Sequence, residues 1–266
     1  RELILRACEL HGYSPGIGVR YLDGTLFEPG FCLEGAAAYA IAIDRYIRDS
    51  GDDQIVEEPV IADTLYGSHD DIHARRHELV PLYSTEITPA GRPAAFPYTL
   101  HGNAVTAQAM DIFRRTLDEE SSRNIEDPDA VRAAVQRNFA RERDGKPILM
   151  SAINLAGEAV ADDEPAASVV WLPMYETVDR SDSAYRRTVR SIDPQPRVLA
   201  QQIARLLGPD GQDVMQWLRR APLHNGLAAE EIDADGLAAA NGGDASLAGL
   251  LAYTLWYAVH ALGVVP

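Results

Sequence analysis

Apolar positions recur with a helical period along most of the chain. In CLEGAAAYAIAIDRYIRDSGD they fall on one face of a helix that starts near Leu33 and ends at Ser50-Gly51, a typical C-terminal cap. Asp52 and Asp53 can then cap a second helix that continues through Leu65. This segment therefore predicts an antiparallel helical hairpin.

The same period continues towards the C-terminus. It predicts a helix in HGNAVTAQAMDIFRRTLDEES and another in DPDAVRAAVQRNFARERDG, with Asp127 as N-cap, Pro128 at the first helical position and Gly145 as the end. Further helices are predicted at 195–207, 210–220 and 246–262, whereas the short apolar runs 148–155 and 168–175 predict strands. We find no repeat of fixed period and no linker, so we expect one all-α domain spanning residues 1–266.

Composition narrows the class of partner. The 266 residues are 46% hydrophobic, enough for one sizeable core, and the formal net charge is −16. Such an acidic chain disfavours nucleic acid and anionic membranes as partners. Lys146 is the only lysine among many arginines. A salt-adapted source and a GC-rich coding bias both explain that pattern.

Cysteine usage and the chain ends favour a cytoplasmic protein. Cys8 and Cys32 are too few for a disulfide framework or a four-thiolate zinc site. The N-terminal segment RELILRACELHGYSPG lacks the basic and apolar regions of a signal peptide, although it starts with arginine rather than methionine. The uncharged segment 245–266 contains serine, threonine and histidine, which favours a buried core helix over a membrane span.

Several kinds of chemistry are disfavoured. HDDIHARRH spaces His69, His73 and His77 four residues apart, so a zinc site is one interpretation if the segment is helical; the adjacent arginines favour a polar outer face instead. Residues 12–16, GYSPG, have the Gly-x-Ser-x-Gly pattern, but no predicted strand precedes them as a nucleophile elbow requires. GYSPGIG and NGGD match neither phosphate-binding fingerprint. We therefore expect neither a metal nor a cofactor.

Paired carboxylates are the strongest remaining candidates. Glu34, Glu86 and Glu230 or Glu231 lie between predicted helices or at a helix start. Glycoside hydrolysis needs one proton donor and one ionised carboxylate. Uncharged neighbours surround Glu34 and Glu86, so we expect burial to raise both pKa values. A single glutamate at a helix start is commonly only a complement to the helix dipole. Rings and polar groups that suit a sugar lie nearby: Tyr83, Phe96, Tyr98, Trp171, Tyr175, His101, Asn103, His224 and Asn225.

Three stretches together resemble a known group of enzymes. LEGAAAYAIAIDRYIRDSGD, then TEITPAG and FPYTLHGNAV, then GLAAEEIDADG and GDASLAGLLAYTLWYA look like the six-hairpin (α/α)6 toroid glycosidases. Similar members are the metal-independent exo-α-mannosidases and the glucoamylase-like or debranching glucosidases. The resemblance implies a pocket ringed by helix N-termini, and inverting hydrolysis. Because a full toroid normally needs more than 266 residues, the chain either lacks N-terminal hairpins or forms an incomplete toroid.

The resemblance also carries roles to individual residues. Glu230 receives the role of base, because Glu230, Ile232 and Asp233 fit the family's spacing. The family's acidic pair falls on uncharged or basic positions at 90–92, so Glu86 is the nearest substitute for the acid. Glu34 is expected to bind sugar hydroxyls.

The sequence thus predicts a hydrolase that cleaves O-glycosidic bonds of a small neutral glycan by a two-carboxylate, inverting mechanism. The residues expected to contact the sugar, besides Glu34, are Tyr98, His101, Asn103, Trp171, Tyr175 and His224. A sugar epimerase on the same toroid is one alternative and would use His101 and His224 as a pair. A non-catalytic carbohydrate-binding relative is the other.

Overall fold

The described part of the chain is mainly helical. The computed structural model describes residues 1–11, 15–20, 25–162, 164, 167–192, 205–208, 211–219, 223–224, 227–228 and 245–265. Its α-helices are α1 (Glu2–His11), α2 (Leu33–Ser50), α3 (Pro59–His73), α4 (Leu100–Thr116), α5 (Glu119–Ser122), α6 (Pro128–Phe139), α7 (Ser183–Ser191), α8 (Gly211–Leu218) and α9 (Ala245–Leu262). Two 3-10 helices span Asp53–Glu57 and Val169–Tyr175.

The strands are short and form separate small sheets. β1 (Ile17–Arg20) pairs with β2 (Leu26–Phe31), and β4 (Ala140–Arg143) pairs with β5 (Lys146–Leu149). β6 (Ala152–Ile153) lies between β3 (Tyr98–Thr99) and β7 (Ala159–Val160), and β8 (Leu223–His224) pairs with β9 (Leu227–Ala228). All of these pairings are antiparallel.

The chain divides into two compact units. The first comprises Arg1–Asp162 and Tyr175–Tyr185, and the second comprises Asp163–Met174 and Arg186–Pro266. The expectation of one domain over residues 1–266 stays a prediction. In the first unit the apolar faces of α2, α3, α4 and α6 supply most of one buried core.

The predicted hairpin of α2 and α3 is present. α2 ends at Ser50, and the capping residue Gly51 adopts a left-handed φ of 72° and donates its N–H to the Ile47 carbonyl at 2.8 Å. α3 then runs back along α2, because the Ser68 hydroxyl donates to the Ala36 carbonyl near the start of α2. The second helix begins later than expected. Residues Asp53–Glu57 form a 3-10 turn, and Pro59 opens α3 at a position that suits its fixed φ.

A second hairpin, of α4 and α6, stands beside the first. Arg114 near the end of α4 pairs with Asp127 at the start of α6 at 3.3 Å, so these helices are antiparallel. As predicted, Asp127 caps α6 by accepting the Asp129 N–H.

α2 and α4 are parallel, because Glu34 meets His101 near their starts and Asp44 meets Arg115 further along both helices. The two helices therefore begin at the same end of the unit. Every residue from Leu100 to Ala107 is buried, which places the start of α4 in the interior.

Two predictions of secondary structure are wrong. The helix expected to run to Gly145 ends at Phe139, and β4 and β5 follow it around a turn at Asp144 and Gly145, whose φ angles are 51° and 69°. Asp-Gly with two positive φ values is typical of a tight hairpin turn. The strand expected at 168–175 is a 3-10 helix. The apolar run 148–155 contributes to β5 and β6, as predicted.

The second unit contains two of the predicted C-terminal helices. α8 and α9 match the expected helices at 210–220 and 246–262. The helix expected at 195–207 lies outside the described residues except for 205–207. No helix in the described ranges has both the length and the apolar character needed to cross a bilayer.

Candidate active site at the starts of helices α2 and α4

Glu34 and His101 form a buried pair at the common end of α2 and α4. Each is the second residue of its helix, and His101 Nδ1 lies 3.1 Å from Glu34 Oε1. Glu34 is 8% exposed and His101 is 5% exposed. Parallel packing of the two helices is what brings these residues together across 67 positions of sequence.

The environment of the pair is tight. The thiol of Cys32 lies 3.7 Å from Glu34 Oε2, and burial, followed by the nearby Glu34 carboxylate, raises the pKa of Cys32 to about 12. Gly102 leaves room for the carboxylate, because a Cβ at that position would lie 3.2 Å from Glu34 Oε1 and 2.6 Å from the Thr99 hydroxyl. The carboxylate thus sits between a protonated thiol and an imidazole.

Tyr175 also packs against the imidazole. Its ring and that of His101 are nearly perpendicular, with centroids 5.3 Å apart. His101 Nε2 is buried and has no hydrogen-bond partner among the residues that the structure describes. Of the residues expected to bind sugar, Glu34, His101 and Tyr175 are therefore brought together.

Glu86 lies beside the start of α2 but in a different environment. Its side chain is 52% exposed, one oxygen accepts the Phe31 N–H at 2.9 Å, and the other is 2.7 Å from Arg75 Nη1. The guanidinium of Arg75 also lies 4.5 Å from the centroid of the Phe31 ring, in cation–π geometry.

The Phe31 N–H, followed by Arg75, lowers the pKa of Glu86. The expectation of a raised pKa for Glu86 is therefore wrong, because its apolar sequence neighbours do not bury it. An ionised Glu86 holds no proton to donate near neutral pH.

The segment that carries Glu86 is fixed to the first turn of α2. The Thr85 hydroxyl accepts the Leu33 N–H at 3.1 Å, and the N–H groups of Glu86 and Ile87 both donate to the Phe31 carbonyl. Thr85 thus satisfies an N–H group that the helix start leaves free. Glu86 and Glu34 therefore flank the same helix terminus.

The side-chain amide of Asn103 bonds to the protein backbone. It is fully buried, its Oδ1 accepts the Tyr83 N–H at 2.7 Å, and its Nδ2 donates to the carbonyls of Tyr83 and Thr99 at 3.0 and 2.9 Å. These bonds use the side chain's main donors and acceptor, and its expected contact with sugar stays a prediction. Tyr83 is itself fully buried, which also withdraws its ring from solvent.

The remaining expected sugar contacts are scattered or not described. Tyr98 is half-buried and packs edge-on against His77, with centroids 5.9 Å apart. Trp171 belongs to the second unit and is 1% exposed, so its ring offers no face to solvent. The backbone of His224 lies in β8, but its side chain is outside the description, as are Asn225, Glu230 and Glu231.

The histidines considered as a zinc site do not share a helical face. α3 ends at His73, and His77 follows the helix. His69 and His73 stack with centroids 5.8 Å apart, and His69 also packs edge-on against Phe113. Within the described ranges, no three His, Cys, Asp or Glu side chains lie together as metal ligands would. Burial lowers the pKa of His69.

Comparison with solved structures places this fold. The chain is similar to a metal-independent alpha mannosidase from Streptococcus pneumoniae, solved as a non-productive substrate complex with alpha-1,6-mannobiose, with a TM-score of 0.75 and 12% identity over 99% of this chain and 80% of that one. The chain has the fold of this enzyme. Cellobiose 2-epimerase from Bacillus thermoamylovorans B4167 is also similar, with a TM-score of 0.52 and 11% identity over 95% of this chain and 87% of that one. No protein-family model matches the sequence, and neither does any curated protein.

These similarities confirm the helical fold class and, at the level of fold, the resemblance to toroid enzymes. Sequence reasoning missed three features of the site: the pairing of Glu34 with His101, the ion pair of Glu86 with Arg75, and the close approach at Gly102. The first two join residues on separate elements. Only Gly102 gave a local signal. Glycine inside a helix lowers stability, so its presence indicates that another group approaches the backbone closely at that position.

Proposed function

We propose that this chain is a glycoside hydrolase that cleaves O-glycosidic bonds of a small neutral glycan with two carboxyl groups, on an (α/α)6 toroid-like scaffold. The observation that carries the proposal is the buried Glu34–His101 pair at the common end of α2 and α4. In the proposed toroid, the N-termini of inner helices surround the pocket, and this pair lies at two such termini. The fold shared with the Streptococcus pneumoniae mannosidase supports it.

Glu86 and Glu230 are the proposed catalytic carboxyls, and the lowered pKa of Glu86 bears on their roles. Hydrolysis needs one carboxyl protonated and the other ionised. Because the Phe31 N–H and Arg75 favour the ionised form of Glu86, we assign it to activation of water. Glu230 then donates the proton to the glycosidic oxygen. This exchanges the two roles implied by the resemblance.

Leaving-group chemistry tests the roles. The 2,4-dinitrophenolate group of an activated aryl glycoside departs without a proton. Loss of the proton donor therefore leaves hydrolysis of this substrate largely intact, whereas loss of the base does not. We expect Glu230→Gln to keep most activity on that substrate and to lose activity on α-1,6-mannobiose. Glu86→Gln should lose both. Glu231→Gln and Glu78→Gln are the matched controls, from the adjacent position and from the exposed loop before Glu86.

Two results would contradict the proposal. The opposite pattern for the two variants would restore the roles implied by the resemblance. No turnover of mannobiose or of a panel of aryl glycosides by the wild-type protein, together with retained sugar binding, would favour a non-catalytic carbohydrate-binding protein. Proton NMR of the first-formed product would test inversion at the anomeric carbon.

A sugar epimerase is the second candidate, and the geometry of His101 favours it specifically. An imidazole held through Nδ1 by a carboxylate is suited to remove a proton next to a carbonyl through Nε2. The fold shared with cellobiose 2-epimerase is consistent with this reaction. Incubation with cellobiose or mannose in D2O separates the candidates, because only an epimerase acting in this way incorporates deuterium at C2.

A further inference from the structure

The contact between Glu34 and His101 assigns the two residues different tasks. A carboxylate accepts hydrogen bonds, so its approach to Nδ1 holds the proton of a neutral imidazole on that nitrogen. The tautomer with hydrogen on Nδ1 leaves a lone pair on Nε2. Glu34 Oε1 is engaged in this contact and Oε2 faces the Cys32 thiol.

His101 Nε2 is the atom of the pair that lacks a partner. It is buried, and none of the described residues satisfies it. An unsatisfied buried polar atom costs stability, so natural proteins retain few of them, commonly at functional sites. A hydroxyl group can donate to such a nitrogen, and glycans are rich in hydroxyl groups.

Tyr175 packs edge-on against the ring of His101 and also against the hydrophobic core. It is half-buried and ends the 3-10 helix Val169–Tyr175. The next residue, Glu176, has a φ of 55°, which is unfavourable for any residue other than glycine, asparagine or aspartate. Thr177 is anchored by its carbonyl, which accepts from Gln136 at 2.9 Å. A strained residue thus joins Tyr175 to a fixed point.

We propose that His101 meets a glycan hydroxyl through Nε2, that Glu34 is the positioning residue of His101, and that Tyr175 covers Nε2 until the glycan displaces it. The identity of the ligand as a glycan rests on the proposed function. The sequence-based expectation gave Glu34 a direct sugar contact and Tyr175 a stacking role. In the present assignment Glu34 acts through His101, and Tyr175 is a movable cover.

The tautomer of His101 and the shielding of its Nε2 by Tyr175 can both be measured without an activity assay. Nitrogen-15 NMR of the histidine side chains reports which ring nitrogen carries hydrogen. We expect His101 in the wild-type protein to be protonated on Nδ1, and Glu34→Ala to lose that preference. The wild-type measurement stands alone if the variant does not fold. Tautomer preference on Nε2 in the wild-type protein would overturn the role of Glu34.

Deuterium exchange at the Cε1 carbon of histidine, read by mass spectrometry, reports access of solvent to each ring. We expect exchange at His101 to be slow in the wild-type protein and several-fold faster in Tyr175→Ala. Buried His69 serves as the internal reference in the same sample. Tyr66→Ala is the matched variant, because its hydroxyl bonds Asp118 and its ring has no described contact with His101. Equal exchange rates at His101 in Tyr175→Ala and Tyr66→Ala would contradict the proposal that Tyr175 covers Nε2.

Titration with α-1,6-mannobiose separates this inference from the proposed function. A shift of the His101 Nε2 resonance on binding supports the inference, whether or not the disaccharide is cleaved. Cleavage without any change at Nε2 would overturn the inference and leave the hydrolase intact. A shift at Nε2 without cleavage of any glycoside would leave the inference intact and remove the hydrolase.

Discussion

Asn103→Ala should destabilise the first unit strongly, because three hydrogen bonds, two of them buried and one partly buried, depend on this side chain. They link α4 to the backbone of Tyr83 and Thr99, at distances between 2.7 and 3.0 Å. At about 1 kcal/mol for each bond, the loss is about 3 kcal/mol, and the unsatisfied groups that remain can only add to it. For a unit of this size, that loss lowers the melting temperature by about 6–12 °C.

Thermal unfolding followed by circular dichroism, with urea unfolding for the free energy, measures this effect. Asn138→Ala is the control, because its amide makes one local bond to the Ala134 carbonyl and should cost less than about 1 kcal/mol. Equal melting temperatures for the two variants, combined with loss of mannobiose binding only in Asn103→Ala, would refute the structural role. Asn103 would then be a sugar-binding residue, as its sequence position first suggested.

Three further changes test the site and its surroundings. Gly102→Ala should destabilise the protein by about 1–3 kcal/mol and disturb the buried pair, because the new methyl group would lie 2.6 Å from the Thr99 hydroxyl; thermal unfolding and the His101 resonances check this. Glu86→Gln should cost about 1 kcal/mol or less at pH 7. Since the folded-state pKa is lowered, that difference should vanish as the pH falls through this pKa, below about 4.3, in urea unfolding at several pH values. His69→Gln should weaken the loss of stability as the pH falls below about 6.5, because the lowered pKa of buried His69 means that the unfolded chain binds more protons there; urea unfolding at several pH values measures that slope.

The sequence predicted the helices whose local and tertiary requirements agree. In α2 the apolar face and the cap at Gly51 coincide, and the uncharged run of α9 has the length of a core helix. The end of α6 shows where this reasoning fails. Charged residues at 141–143 fit the outer face of a longer helix equally well, and the turn at Asp144-Gly145 decides against it. The Asp-Gly pair was a hairpin signal that the helical interpretation overrode.

The polar residues of the site show a second limit of prediction from sequence, which concerns burial. A glutamate among apolar neighbours correctly indicated a buried carboxyl at Glu34, but the same argument failed at Glu86. The difference lies in the element that carries each residue. Glu34 projects from a helix packed on both sides, whereas Glu86 lies on a segment that crosses the helix terminus and meets Arg75 in solvent. Sequence neighbours describe burial only where the backbone turns them into spatial neighbours.

Pairing across the chain depends on topology. Glu34 and His101 were each visible as candidates, yet their contact requires α2 and α4 to be parallel, and the intervening helix α3 supplies the return. In two successive helical hairpins, the return helix of the first brings the chain back to the end of the unit at which that hairpin began. The first helix of each hairpin therefore starts at the same end. The first turns of such helices present free N–H groups, which favour acceptors such as a carboxylate and the oxygen atoms of a glycan. The repeated hairpin therefore supplies the polar end that this site occupies, and Glu34, His101 and Tyr175 supply the features that distinguish it from an ordinary pair of helix starts.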